Sequence, residues 1–224
     1  LLIEQHNDFM GYQMREYFIH GDIPFFIVQD LNPEKVNVRN VIHALNKLVP
    51  KKLFQGVDGV YVVHLPEFDE RSINAIYKDD TLYVTNQQDN DKDMLDDIVH
   101  ELAHSIEIQF IEEIYGDDDI EHEFLAKRKR LYRIIKNEGH PVEADDFLNS
   151  QYDEDFDFYL YDEVGYNALD GYIEGCFPSP YAATSMREYF AVSFTDYILY
   201  DRENIKKTCP AVYNKIKKLI KKEK

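Results

Sequence analysis

The chain has 224 residues, of which 44% are hydrophobic and 30% charged, a composition typical of globular rather than disordered proteins. Its formal net charge of −18 argues against nucleic-acid backbone binding, which requires clustered Lys and Arg. The sequence contains no run of about 20 apolar residues and no signal-peptide pattern, so we expect a soluble protein of unknown compartment. Two cysteines, Cys176 and Cys209, are too few for a disulfide framework and leave a single bridge open.

The first part of the chain alternates predicted helices with short strands. Residues 4–18 are predicted to form a helix and residues 23–28 a strand. Asn32, followed by proline and glutamate, has the pattern of a helix cap, and the helix that it opens ends at Pro50. The apolar segment 57–65 is predicted to be the next strand, and these elements together predict an α+β fold.

Two further short strands are predicted at 72–77 and 81–85, with a hairpin at residues 78–80 between them. We expect strand 81–85 to form the free edge of a small mixed sheet. An extended peptide can add to such an edge through backbone hydrogen bonds. The predicted substrate-binding residues are therefore Leu82, Tyr83 and Val84.

The helix predicted next carries the pattern His100-Glu101-x-x-His104. Residues i and i+4 share one face of a helix, so the two imidazoles can bind one tetrahedral metal. Glu101 lies beside them and can act as general base toward a metal-activated water. This pattern predicts a catalytic Zn²⁺ site with His100 and His104 as ligands. The alternative is a chance motif on an amphipathic helix with both histidines solvated.

The acidic residues are concentrated in segment 111–174, where 19 Asp and Glu oppose 6 Lys and Arg, a net charge of −13. A helix is predicted over 119–138, and its basic run 127–130 is interpreted as a solvated face. The C-terminal segment 205–224 has a net charge of +7. We expect it to form a helix that docks on the acidic segment, with a membrane or partner contact as the alternative.

Several further candidate metal ligands have weaker patterns. The alternating Asp153, Asp155 and Asp157 lack the Gly and the terminal Glu of an EF-hand calcium loop. His64, at the end of a predicted strand, is a weak candidate. His122 begins a second His-Glu pair but has no second His four residues later, so the pair is interpreted as surface.

A catalytic zinc site needs three protein ligands and one open position. The metzincin pattern is excluded, because Glu107 and Phe110 occupy the positions at which it requires Gly and His. The remaining options are Glu107, His122, His140 and Glu188. A straight helix directs the Glu107 carboxylate along its axis and away from the metal.

Glu188 has the most favourable context for a third ligand. It lies in the first turn of a helix predicted to follow a loop that begins at Ser179, and such a position can face a metal held by another helix. The alternative is that Ser185-x-x-Glu188 is a capping box, in which the glutamate serves its own helix end.

The combination of His100-Glu101-x-x-His104, Tyr181 and Glu188-Tyr189-Phe190-Ala191 resembles the anthrax-lethal-factor-like metallopeptidases. These gluzincins include the catalytic domain of lethal factor and the secreted Pro-Pro endopeptidases. The resemblance covers about residues 73–110 and 179–197. It implies that Glu188 is the third zinc ligand and that Tyr181 donates to the oxyanion of the reacting carbonyl. Val192 departs from the acidic residue frequent in the family, and the gap of 83 residues before Glu188 is longer than expected.

The resemblance implies a zincin-like fold, with an edge strand over the active-site helix and a mainly helical lower half. We expect one domain over 1–224, with an upper part at 1–110, an acidic insertion at 111–174 and a lower part at 175–224. The implied function is that of a zinc-dependent endopeptidase with a protein or peptide substrate, and without nucleic acid or membrane as partner. The resemblance leaves the compartment open and is compatible with a secreted or delivered effector, but it does not justify transfer of a toxin role or of a Pro-Pro preference. The alternative is a catalytically silent zincin-fold protein that binds a partner through its acidic surface.

Overall fold

The computed structural model describes residues 14–221. The chain divides between Gln109 and Phe110 into two compact units, each of which has its own core. Both helices and strands are present, so the predicted α+β class is confirmed. None of the helices within 14–221 has the length and apolar character needed to cross a lipid bilayer.

The first unit is built on a five-stranded mixed sheet. Its strands are β1 (Arg15–Ile19), β2 (Ile23–Ile27), β3 (Gly59–Val62), β4 (Ala75–Lys78) and β5 (Thr81–Val84), in the spatial order β1-β2-β3-β5-β4. The pairs β2–β3 and β3–β5 are parallel, whereas β1–β2 and β4–β5 are antiparallel. Every residue of β3 is buried, as expected for a central parallel strand with both faces covered.

The prediction that 81–85 forms the free edge was wrong. Strand β5 pairs with β3 on one side and with β4 on the other, so the backbone of Leu82, Tyr83 and Val84 already has its ladder partners. Strand β4 lies at the edge instead. The physical reason is burial: β5 has three buried residues, which suit the sheet interior, whereas β4 has only Ala75.

Between residues 14 and 109, three α-helices are present: α1 (Val38–Leu48), α2 (Pro66–Arg71) and α3 (Asp91–Gln109). The predicted helix start at Asn32 was wrong. The Asn32 side chain accepts the N–H of Glu34 in a turn, and the helix begins after Asn37, whose side chain accepts the N–H of Arg39. Two asparagines thus compete as caps, and the one followed by the apolar stripe of α1 starts the helix.

The N-terminal helix predicted over 4–18 falls partly outside the described residues, which start at 14. Where the two overlap, the prediction was wrong, because Arg15–Ile19 is strand β1. Its partner β2 supplies a strong apolar register, in which Ile19 pairs with Ile23. Cross-strand pairing outweighs local helix propensity here.

The second unit is mainly helical within the described residues. Its helices are α4 (Ile111–Tyr115), α5 (Asp119–Asn137), α6 (Glu154–Phe158), α7 (Tyr166–Ile173), α8 (Met186–Leu199), α9 (Arg202–Thr208) and α10 (Pro210–Lys221). A π-helical turn, Tyr159–Gly165, joins α6 to α7. Helix α5 packs against α7, α8 and α10, so the acidic segment shares one core with the helices that follow it.

The basic C-terminal helix docks on the acidic segment, as predicted. Helix α10 packs against α4 and α5. Lys215 is only 4% exposed, and its Nζ lies 2.6 Å from each carboxylate oxygen of Asp117. This hydrogen bond lowers the pKa of Asp117. The pair compensates a buried ammonium, which would otherwise be costly.

Candidate metal centre

Helix α3 brings His100, Glu101 and His104 together. One ligand atom from each side chain lies within 4.8 Å of the other two. The two imidazole rings are edge to face, with centroids 5.1 Å apart. Over residues 14–221 no other group of three His, Cys, Asp or Glu side chains has this proximity. The i,i+4 spacing thus places the two imidazoles on one face of α3, as predicted.

Glu107 holds the ring of His104 in one orientation. The His104 Nδ1 lies 2.9 Å from the Glu107 Oε2, and the Glu107 side chain is only 4% exposed. A carboxylate only accepts hydrogen bonds, so in the neutral imidazole Nδ1 is the donor and the lone pair of His104 is on Nε2. Glu107, a candidate for the third ligand, therefore has the geometry of an orienting partner. The i,i+3 spacing from His104 was the sequence signal for this role.

The edge strand supplies the hydrogen-bond partner of Glu101. The backbone N–H of Tyr77 donates to the Glu101 Oε2 at 2.7 Å. Tyr77 is one residue from the hairpin pair Lys78–Thr81, so its N–H points away from β5 and toward the free edge. Strand β4, at the edge of the sheet, thus packs against α3.

A shared acceptor fixes the position of β4 relative to α3. The Tyr77 hydroxyl and the Ser105 hydroxyl donate to the carbonyl of Gly56, at 2.9 and 3.1 Å. A Cβ at Gly56 would lie 2.5 Å from the side chain of Gln109, so glycine permits this loop to approach α3. Burial raises the pKa of Tyr77, and the phenol stays protonated as a donor.

A further carboxyl group precedes the motif by one helical turn. Asp97 accepts a hydrogen bond from the Gln88 Nε2 at 2.8 Å. Burial raises the pKa of Asp97 to about 6, and the neighbouring Glu101 contributes to the rise. Asp97 was not predicted as a site residue. Its i,i+3 spacing from His100 and its position on the buried side of the helix were the available signals.

His64 serves the structure of the first unit. Its Nδ1 lies 2.9 Å from the Thr85 hydroxyl and its Nε2 lies 3.1 Å from an Asp69 oxygen. Both ring nitrogens are therefore engaged, which removes this weak ligand candidate.

Two histidines considered as third ligands, His122 and His140, lie in the second unit. His122 is exposed, as expected, and the ring of His140 packs edge to face with Tyr172 at 6.3 Å. Glu123, expected at the surface, instead accepts from the Tyr189 hydroxyl at 2.6 Å and from the Ala211 N–H at 3.0 Å.

Tyr181 and Glu188 lie in the second unit, at the start of α8. Tyr181 begins a short 3-10 turn and is 37% exposed, and Glu188 is half-buried in the first turn of the helix. The predicted arrangement of a loop leading into a helix is thus confirmed. The Ser185 hydroxyl accepts the N–H of Glu188 at 3.1 Å. This bond is the half of a capping box that uses the backbone of Glu188 and not its carboxylate.

A second carboxyl group lies near Glu188. Asp157 accepts hydrogen bonds from the hydroxyls of Tyr152 and Tyr166, at 3.0 and 3.4 Å. Burial, and secondarily the charge of Glu188, raises the pKa of Asp157. Asp153 caps α6 by accepting the N–H of Phe156. Two of the three alternating aspartates are therefore occupied in local structure, in agreement with the absence of an EF-hand pattern.

The chain was compared with protein-family models, with curated proteins and with solved structures, and no match was found in any of the three comparisons.

Proposed function

We propose that the protein is a zinc-dependent endopeptidase. The observation that carries the proposal is the convergence of His100, Glu101 and His104 within 4.8 Å on α3, with Glu101 bonded to the edge strand. A chance motif with solvated side chains would not explain a buried carboxylate that orients His104 through Nδ1.

The residues present fit a zinc ion. Imidazole nitrogens are preferred zinc ligands, and the Nδ1 hydrogen bond of His104 leaves Nε2 as its metal-binding atom. His100 and His104 would hold the ion, with Glu188 as the third ligand implied by the family resemblance. Three protein ligands leave one position open, which distinguishes a catalytic from a structural zinc site.

The proposed reaction is hydrolysis of a peptide bond. Zinc, when bound, supplies a Lewis acid that lowers the pKa of a coordinated water to about 7. The Glu101 carboxylate takes the proton of the attacking water and passes it to the leaving amine. The Tyr181 hydroxyl donates a hydrogen bond to the oxyanion that develops on the reacting carbonyl.

We place the substrate backbone along β4. Ala75 and Tyr77 alternate with the residues that pair with β5, so their backbone polar groups face the free edge. Because the Tyr77 N–H donates to Glu101, the candidates for ladder bonds are the Tyr77 C=O and the N–H and C=O of Ala75. An extended peptide can form antiparallel or parallel ladder bonds there. Because the Tyr77 N–H contacts Glu101, a peptide on this edge passes beside the general base. The segment Leu82–Val84, predicted from the sequence to bind substrate, lies one strand further inside the sheet.

A peptide library analysed by mass spectrometry tests the proposal. The purified protein should produce cleavage fragments that disappear with chelator and return with added zinc. Glu101→Gln, prepared in parallel, should bind zinc and produce none. Absence of cleavage by zinc-loaded wild-type protein would favour a zincin-like binding protein without catalysis.

A further inference from the structure

The basic run on α5 is divided between surface and core. Lys129 and Arg130 are exposed, as predicted, but Arg128 is only 1% exposed, so the interpretation of the whole run as a solvated face was wrong. Helical geometry explains the difference. Arg128 is four residues after Phe124 and three before Leu131, both buried, and therefore lies on the buried face of α5.

The guanidinium of Arg128 binds three backbone carbonyls. Nη1 donates to the Ala183 oxygen at 2.6 Å and to the Thr184 oxygen at 3.1 Å, and Nη2 donates to the Asp146 oxygen at 2.6 Å. The guanidinium carbon lies 3.9 Å from the ring centroid of Phe156. Burial of a cation has a large desolvation penalty, which hydrogen bonds to its donors must offset. The planar guanidinium allows Arg128 to make several such bonds at once.

Two of these carbonyls belong to the segment that carries Tyr181. Ala183 and Thr184 close the 3-10 turn that begins at Tyr181. The Thr184 hydroxyl donates to the backbone carbonyl oxygen of Tyr181 at 2.8 Å. Ser185, the next residue, caps α8 through the N–H of Glu188. One guanidinium thus holds the link between the phenol and the carboxylate that the proposed function requires.

The neighbouring Lys127 makes a comparable but separate contact. Its Nζ donates to the carbonyl of Cys176 at 2.5 Å and to that of Thr208, and it lies 5.3 Å from the ring centroid of Tyr189. These carbonyls flank α8 and its preceding loop and are outside the Tyr181 turn. Lys127 therefore serves as a matched control for loss of a half-buried cation from the same helix.

We propose that Arg128 is a positioning residue, which fixes the Tyr181–Thr184 turn and thereby places the Tyr181 phenol for peptide hydrolysis. This inference rests on the proposed function. The planar fork of arginine can reach two successive carbonyls at once, whereas a lysine ammonium is a single point donor. A small displacement of a catalytic group can lower the rate by about 100-fold.

The test is a double-mutant cycle on the full chain. Arg128→Lys should lower kcat by about 10- to 100-fold with KM within about 3-fold, because the loss is one of transition-state geometry. In the Tyr181→Phe background the same substitution should change kcat by less than about 3-fold, because the phenol that it displaces is already absent. Lys127→Met should lower the melting temperature and leave kcat within about 3-fold.

Phe156→Leu keeps Arg128 and removes the ring on which its guanidinium stacks. This variant replaces Arg128→Lys in the test if Arg128→Lys does not fold. It should reduce kcat by about 3- to 10-fold, again only when Tyr181 is present. A folded Arg128 or Phe156 variant with wild-type kcat, or with an equal loss in the Tyr181→Phe background, would overturn the positioning role alone. Wild-type protein that cleaves no peptide would overturn the proposed function, and this inference with it.

Discussion

The two compact units differ in how their candidate site residues are held. In the first unit, His100, Glu101, His104 and Glu107 lie within eight residues of one helix, and helical spacing alone brings them together. In the second unit, the turn at Tyr181 is held by Arg128, more than 50 residues before it in the chain. A local motif can be recognised from spacing, whereas a site built from distant segments requires knowledge of the packing.

The largest effect is expected from the local motif. Glu101→Gln should lower kcat by about 10³- to 10⁴-fold, because the amide cannot accept the proton of the attacking water. Its amide oxygen can still accept the Tyr77 N–H, so the fold and the zinc content should be retained. Peptide cleavage and metal content are measured on the same preparation. Cleavage at the wild-type rate would exclude Glu101 as general base.

In the second unit, Tyr181→Phe tests the residue implied by family resemblance. Loss of one oxyanion donor should reduce kcat by about 10²- to 10³-fold without loss of zinc. Steady-state kinetics give the comparison, with Tyr161→Phe as control, since Tyr161 is also an exposed tyrosine, 63% accessible. If both substitutions change kcat equally, Tyr181 has no specific catalytic role.

Substitution of Glu107 tests whether a residue outside the proposed ligands supports metal binding by His104. Glu107→Ala removes the acceptor of the His104 Nδ1–H and should weaken zinc binding by about 10- to 100-fold. Glu107→Gln keeps an acceptor oxygen and should fall between the alanine variant and the wild type. Competition with a chromogenic chelator measures the affinity. The exposed Glu112→Ala is the control, and equal affinities for all variants would refute the orienting role.

Substitution of Asp97 should have a smaller effect, on the free energy of unfolding rather than on catalysis. Burial raises the pKa of Asp97 to about 6, so the folded protein favours the protonated carboxyl. The stability of the folded state that depends on this proton is complete below the unfolded pKa of about 4, and it is lost as the pH rises through 6. Asp97→Asn, which keeps an acceptor for Gln88, should therefore stabilise the metal-free protein at pH 7 by about 1–3 kcal/mol and have little effect at pH 4.

Urea unfolding at the two pH values measures this difference. Asp89 is the control of opposite sign, because a hydrogen bond from Lys35 lowers its pKa and Asp89→Asn should not stabilise at pH 7. Destabilisation by Asp97→Asn at pH 7 would contradict the burial argument.

Elements with strong periodic patterns were predictable from sequence. The strand at 23–27, the helix α3 and the helix over 119–137 follow from apolar spacing, and so does the start of α8 after Ser185. The His-Glu-His cluster was predictable for the same reason, because one helix determines the mutual geometry of its own side chains.

Strand order was not predictable from local pattern. Strands β4 and β5 form a hairpin through Asp79 and Asp80, and either could have paired with β3. The choice depends on which of the two buries more apolar surface in the complete sheet. The free edge was consequently assigned to Leu82, Tyr83 and Val84, whereas β4 occupies it.

The buried cations were also beyond sequence reasoning. A run of four basic residues indicates a solvated face, and only the surrounding carbonyls and rings show that Arg128 and Lys127 turn inward. Their partners lie at distant sequence positions, for which a single sequence contains no direct signal.

The proposed peptidase function depends most on metal binding by the imidazoles of α3. The most direct measurement is the zinc content of purified and dialysed protein by inductively coupled plasma mass spectrometry, for the wild type and for His104→Ala. We predict about one zinc per wild-type chain and a loss of nearly all of it in the variant. Wild-type protein without zinc after zinc loading, or equal zinc in both proteins, would contradict the account.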